Sequence, residues 1–202
     1  ITDAILGCIL FVISILCKPN CSLGFLPGFV ISLIIIGTLH NNLYKTLFKV
    51  SFIVICSILT LGVQYYYTFI HNALFEHPSK TIFAPFLVWR SYSPHIWLSC
   101  LLSLAFPISV VILYFRKSIT NIQLIMAWCS LFIAIIMMAT LAEYPVYSAG
   151  NYLWGSIACN YILFVYSTKL LLIQRSDWKK YICYAIFSLH VFSGFYLLYS
   201  FF

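Results

Sequence analysis

Glu143, Glu76 and His77 are the side chains best suited to move a proton in this sequence. Acidic residues are scarce in it, four in all: Asp3, Glu76, Glu143 and Asp177. Glu76 opens Glu-His-Pro-Ser-Lys, and Glu143 opens Glu-Tyr-Pro-Val-Tyr. A carboxylate or a histidine can serve as general base in a transfer reaction. Lys80, Trp89, Arg90 and His95 follow Glu76 in the same stretch. A guanidinium grips a phosphate or pyrophosphate through two parallel hydrogen bonds. Around Glu143 stand Tyr144, Asn151 and Trp154. Glu143 is expected to end the fifth apolar helix and to face Arg90 or His77 across an external cleft, since an unpaired carboxylate bordering lipid is costly. Aromatic rings stack on sugars or sit among lipid headgroups. The candidate catalytic residues are therefore Glu143, Glu76 and His77. The candidate substrate-binding residues are Arg90, Lys80, Trp89, His95, Tyr144, Asn151 and Trp154. Plain interfacial anchoring accounts for the same rings and charges without any chemistry, because aromatic belts and flanking charges border most membrane spans.

The elements that must carry these residues are membrane helices. The chain is 63% hydrophobic and 7% charged over 202 residues, with a mean hydropathy of +1.03. Soluble domains carry roughly 25% charged residues, and a chain of this size leaves roughly 30% of its surface exposed. The apolar stretches are continuous, which excludes the alternating pattern of a β-barrel. They cover 4–17, 23–39, 50–70, 96–115, 122–142, 152–173 and 181–202. The expected fold is all-α, a polytopic transmembrane bundle of about seven helices. It forms a single integral membrane domain over 1–202. The first residue is Ile1, not Met, and the expectation is a removed leader or further chain upstream.

The longest break between apolar runs is 71–95, which holds three of the five histidines, His71, His77 and His95. Its middle, 82–89, is apolar but too short to cross a bilayer, which takes about 20 helical residues. Pro85 interrupts it as well. A short interfacial or re-entrant segment is expected there. Elsewhere, Gly24, Pro27, Gly28 and Gly37 mark the second run as flexible or closely packed. Pro107 stands inside the fourth.

Basic residues set the orientation. The loops 40–49, 116–121 and 174–180 carry Lys45, Lys49, Arg116, Lys117, Arg175, Lys179 and Lys180. Lys and Arg favour the cytoplasmic side, so these loops are expected there. The loops 18–22, 71–95 and 143–151 then face outward. This distribution also accounts for the net charge of +7 without nucleic acid, for which no motif or basic block is present. No Cys-x-x-Cys and no zinc-type His/Cys spacing occurs, so neither metal nor cofactor is expected. Polar residues inside the runs are few. Gln64 and Asn160 are expected to bond neighbouring helices, Lys169 to snorkel to the interface, and His190 to be packed as a neutral ring.

Two functions remain in view. One is an envelope or endomembrane enzyme, a transferase or part of one, that processes a lipid-linked or glycan substrate at the external face. The other is a non-catalytic subunit packed against other membrane proteins, or a transporter component for a neutral or lipid-like solute. An enzyme gathers polarity in one external pocket, whereas a transporter lines a path with it.

Overall fold

Without water, a backbone can satisfy its N–H and C=O groups along one segment only as a helix, and the described part of each apolar run is mainly helical. The computed structural model describes residues 2–39, 43–67, 80–147 and 151–200. In chain order they form α1 (Thr2–Cys17), α2 (Pro19–Leu39), α3 (Leu43–Tyr65), β1 (Lys80–Phe83), α4 (Leu87–Tyr92), α5 (Ile96–Leu113), α6 (Phe115–Ser118), α7 (Ile122–Thr140), β2 (Leu141–Tyr144), α8 (Asn151–Leu172) and α9 (Trp178–Ser200). The long helices sit where the apolar runs place them. Four are long and apolar enough to cross a membrane, within α2, α5, α7 and α8. The apolar stretches of α1 and α3 are shorter, Ile5–Cys17 and Val50–Tyr65. The first of these extends only about 20 Å at 1.5 Å per residue, against a hydrocarbon core of about 30 Å. Seven spans are therefore not established by length and hydropathy.

The centre of the bundle is the packing of α2 against α7 and of α7 against α8. Gly28 of α2 lies on the backbone of Ser130, and Gly24 on Ala134. The partner numbers fall as the glycine numbers rise, so α2 and α7 run antiparallel. Small residues four apart on both helices let the backbones close. Gly155 of α8 lies against the Asn20 carbonyl, which sets α8 parallel to α2. On the other flank Phe106 of α5 is fully buried. Its ring meets Phe164 of α8 at 5.3 Å and Phe187 of α9 at 4.9 Å. The outer surface is apolar as well, with Leu101, Ile112, Phe132 and Phe192 all exposed. Contiguous apolar surface on this scale marks a face that meets lipid or protein. Gln64 donates to the Leu16 carbonyl of α1 at 3.5 Å, an interhelical bond as expected.

Helix boundaries follow local chemistry. Asn121 caps α7 by accepting the Leu124 N–H at 3.0 Å, the ordinary role of an N-cap side chain. The far end of α7 departs from the sequence expectation. The helix stops at Thr140, and Leu141 and Ala142 enter β2 instead. This strand pairs antiparallel with β1: Lys80 opposite Tyr144, Thr81 opposite Glu143, Ile82 opposite Ala142 and Phe83 opposite Leu141. The all-α fold thus carries one two-stranded element. A strand of four residues paired to a segment far away in sequence leaves no periodic signal, and so escaped the reading of hydropathy.

The segment after β1 does not span. Leu87 N–H bonds the Ala84 carbonyl at 3.2 Å, closing a tight turn over Pro85 and Phe86. Phe86 takes φ 59° and ψ 4°, the left-handed conformation of the third turn position. The N–H groups of Ala84 and Phe86 bond the Thr140 and Ala139 carbonyls at 2.9 and 2.6 Å. The turn is thereby tied to the end of α7. It redirects the chain into α4, whose six residues cover about 9 Å. Val88 of α4 is buried and α4 packs on α7. Residues 68–79, which include Glu76 and His77, lie outside the described residues.

Candidate functional site

The polar residues gather at two ends. One end holds the α1–α2 turn, the β1–β2 pair, α4 and the start of α8. There Glu143 does not end a helix, contrary to the sequence reading: it sits in β2 with its backbone opposite Thr81. Its carboxylate Oε2 accepts from Asn151 Nδ2 at 2.5 Å. Thr81 Oγ1 and the Tyr152 hydroxyl share a hydrogen bond of 2.8 Å. Two side-chain bonds therefore fasten the strand pair to the first residues of α8. The expected pairing of Glu143 with Arg90 is not made. Arg90 is exposed on α4, and Glu143 is held by Asn151 instead. Pairing of Glu143 with His77 lies outside the described residues.

The other sequence candidates scatter around this end. Lys80 and His95 are exposed. Tyr144 is exposed and meets Tyr147 edge-on, with ring centroids 6.0 Å apart. Trp154 has Lys18 Nζ 4.0 Å from its ring centre, a cation–π contact that joins the α1–α2 turn to α8. Trp89 points elsewhere: its Nε1 donates to Ser99 Oγ at 3.3 Å.

Trp89 marks a feature that sequence reasoning missed. A cleft of about 240 Å³ opens between α4, α5, α7 and α8, lined by Trp89, Ser99, Ser103, Leu131, Ser156 and Asn160 among others. A second, larger groove of about 790 Å³ runs along α8 and α9, lined by Tyr161, Phe164, Thr168, Phe187 and His190 among others. Ile157 and Asn160 line both. Contrary to expectation, Asn160 makes no hydrogen bond to a neighbouring helix among the described residues. Its Oδ1 is buried and has no hydrogen-bond partner. The signal available in the sequence was Ser99 and Ser103, one helical turn apart ahead of Pro107.

No family model, curated protein or solved structure matches the chain. The site has to be read from its own chemistry. Among the described residues no group of three or more His, Cys, Asp or Glu is placed to hold a metal ion.

The opposite end holds the fourth acid. The Tyr114 hydroxyl donates to Asp177 Oδ1 at 2.7 Å, and the Lys180 N–H donates to the same oxygen at 2.9 Å. Asp177 is thus the N-cap of α9. Lys117 Nζ donates to Gln174 Oε1, and Lys180 Nζ donates to the Leu172 and Gln174 carbonyls at 3.1 and 2.9 Å. Lys169 Nζ donates to Gln123 Oε1 at 3.0 Å, where snorkelling was expected to take it. The loops 116–121 and 174–180 therefore share one end, away from β1, β2 and α4.

The Tyr114 hydroxyl, followed by the Lys180 N–H, holds the Asp177 carboxyl below its ordinary value. Burial first, and then the bond to Asp177, pushes the Tyr114 phenol up. Asp177 therefore stays ionised to lower pH in the folded chain than in the unfolded chain. Its stabilisation is present above about pH 4, the unperturbed carboxylate value, and is lost as pH falls through the lower folded value. Thermal unfolding in detergent micelles between about pH 6 and pH 3 should show the midpoint falling at the acid end. Asp177→Asn should start lower and fall less. A variant that falls as steeply as the parent would assign the acid lability to another group.

Proposed function

We propose that this chain is a multi-pass membrane protein that holds an amphiphile, a lipid or lipid-linked molecule, with its headgroup at the external end of the bundle. The observation that carries the reading is the shared wall of the two cavities. Ile157 and Asn160 stand between a small cleft with hydroxyl and amide groups and a long apolar groove. A headgroup in the first and a hydrocarbon chain in the second is the occupant whose two halves match both. The cleft lies toward the end that carries β1, β2 and α4. By the positive-inside rule this end is external, because the basic loops 116–121 and 174–180 meet at the other.

The reading stops at binding. Among the described residues no carboxylate or histidine lines the small cleft, so no general base is assigned to it. An assembly subunit or a lipid-path component fits this better than a transferase. Glu143 keeps the enzyme as a second reading, through its carboxylate held on Asn151 at the same end.

The expected result is that protein purified in mild detergent retains an amphiphile in native mass spectra. Ile157→Trp should release it, because Ile157 is 47% exposed and the larger ring fills the shared wall without burdening the core. Retention undiminished by Ile157→Trp, or no retained amphiphile in the parent, would overturn the reading. For the orientation, single cysteines at positions 117 and 175 should react with an impermeant maleimide only after the cytoplasmic side is opened. Labelling of either from outside intact cells would reverse the assignment.

A further inference from the structure

The cleft differs from the surface around it in the hydrogen bonds it leaves open. Ser99, Ser103 and Ser156 each give their one hydroxyl hydrogen to a carbonyl of their own helix, those of Ile96, Cys100 and Leu153, at 2.8 to 2.9 Å. Ser99 Oγ also accepts from Trp89 Nε1 at 3.3 Å, and Ser156 Oγ lies 3.2 Å from Met138 Sδ, a second acceptor for its hydrogen. Each oxygen still keeps a free lone pair and has no proton to spare. Pro107, inside α5, has no N–H, so the Ser103 carbonyl one turn earlier loses its helix partner. Asn160 adds an amide whose Oδ1 is buried without a partner. Asn160 stands roughly 13 Å along α8 from Asn151, at 1.5 Å per residue. An unpaired polar group at that depth is costly, and a ligand that supplies its missing hydrogen bond removes that cost.

From these groups we infer that the cleft takes an uncharged, hydroxyl-bearing headgroup, a single sugar ring or a glycerol, and turns away phosphate. The inference rests on the amphiphile reading and names its headgroup. Hydroxyls supply the protons the serine oxygens and the freed carbonyl lack. They also pair with either end of the Asn160 amide. A phosphate brings further acceptors and a charge, and no Lys, Arg or His lines the cleft among the described residues. An ammonium brings donors, but its charge would be buried beside no carboxylate, which is costly. Trp89 offers an apolar ring face to the C–H side of a sugar. At about 240 Å³ the cleft lies below the roughly 300–1,000 Å³ of sites for drug-sized ligands, which suits one ring and not a chain of them.

The test uses the full chain in nanodiscs and three probes of matched acyl chains: a monoglucosyl diacylglycerol, a phosphatidic acid and a phosphatidylethanolamine. Retention is read by native mass spectrometry. The glucosyl lipid should be retained over both others. Asn160→Leu and, independently, Ser103→Ala should each lose that preference, the first by about tenfold or more, as befits a buried polar partner removed. Thermal unfolding of each variant checks that it is folded, and the milder Ser103→Ala keeps the test open where Asn160→Leu is not. Arg90→Ala should leave the preference unchanged. Equal retention of the three probes would overturn the headgroup inference and leave the amphiphile reading standing. Preference for phosphatidic acid would overturn it too, and loss of that preference in Arg90→Ala would return the role to Arg90. Retention of none of them would remove both readings. Displacement of the glucosyl lipid by millimolar methyl glucoside would keep the sugar site and remove the lipid chain from it.

Discussion

Gly28→Ala should leave little folded protein in the membrane, and trimming Ser130 to glycine should not restore it. A Cβ on Gly28 would lie 2.2 Å from the Cα of Ser130, 2.4 Å from its N and 2.7 Å from the carbonyl carbon of Cys129. All three are backbone atoms, so no rotamer change relieves the clash and α2 has to move off α7. Overpacking ordinarily costs about 1–3 kcal/mol, occasionally more. Here the displaced contact is the central one of the bundle, and a loss at or above the top of that range is expected. Ser130→Gly also removes the bond from Ser130 Oγ to the Phe25 carbonyl, which adds to the damage. Gly24 is the informative contrast. Its added Cβ would lie 2.7 Å from the Ala134 Cβ and 3.3 Å from the Ala134 Cα, so the nearest obstacle is a methyl group. Gly24→Ala should destabilise, and Ala134→Gly should recover much of the loss. Gly62 has nothing within 4 Å of such a Cβ, and Gly62→Ala should be neutral or better, given the helix propensity of alanine. Monodisperse yield after detergent extraction and the thermal midpoint read all of these. A Gly28→Ala protein with the parent's midpoint would show that α2 and α7 do not close on each other in this way.

The parts of the fold that were legible in the sequence are those that composition alone dictates. A continuous apolar run has one solution in lipid, so the long helices were found. Yet α3 begins at Leu43 and α2 at Pro19, several residues ahead of the runs at 50 and 23, because polar residues extend a helix that hydropathy alone does not mark. Gly24 and Gly28 were legible as close-packing residues for the same reason. What could not be read was pairing. The strand at Leu141–Tyr144 looks like the fading end of a helix until Lys80–Phe83 is laid beside it, and that meeting depends on the turn at Phe86. Glu143 was therefore assigned to a helix end and matched by charge to Arg90 or His77. Charge scarcity singled out Glu143 but did not point to Asn151, because an amide N–H can also satisfy a carboxylate. Asp177 was passed over, although Ser176-Asp177-Trp178 before a helix is an N-cap pattern. The cleft was invisible because its polarity comes from serines that read, one at a time, as ordinary small residues of membrane helices.

Glu143→Ala should loosen the end of the bundle that carries β1 and β2, and Glu143→Gln should loosen it less. The carboxylate accepts from Asn151 at 2.5 Å, and Asn151 is the first residue of α8. Two effects meet there. A hydrogen bond to a charged group contributes about 1.5–3 kcal/mol, and a negative charge near a helix N-terminus adds about 0.3–1 kcal/mol when exposed. Glutamine keeps an oxygen for the Asn151 amide, so the bond weakens to about 0.5–1.5 kcal/mol, that of a neutral pair, and the second effect is lost. Alanine loses both and frees the β1–β2 pair from one of its two ties to α8, leaving Thr81 with Tyr152. Asn151→Ala should match Glu143→Ala, and the double variant should be little worse than either, since residues of one bond are not additive. Hydrogen exchange should report the change in 80–92 and 141–147 before it reports any in α5 or α9. A catalytic Glu143 behaves differently. Glutamine would then be as damaging to function as alanine while the midpoint stayed near the parent's, because loss of a general base costs about 10²–10⁴ in rate whatever the fold retains. Stability that falls further in alanine than in glutamine, with retention of the amphiphile scaled to the folded fraction, makes Glu143 the fastening of the strand pair. Glutamine and alanine equally deleterious to function in a fully folded protein would return it to the enzyme reading.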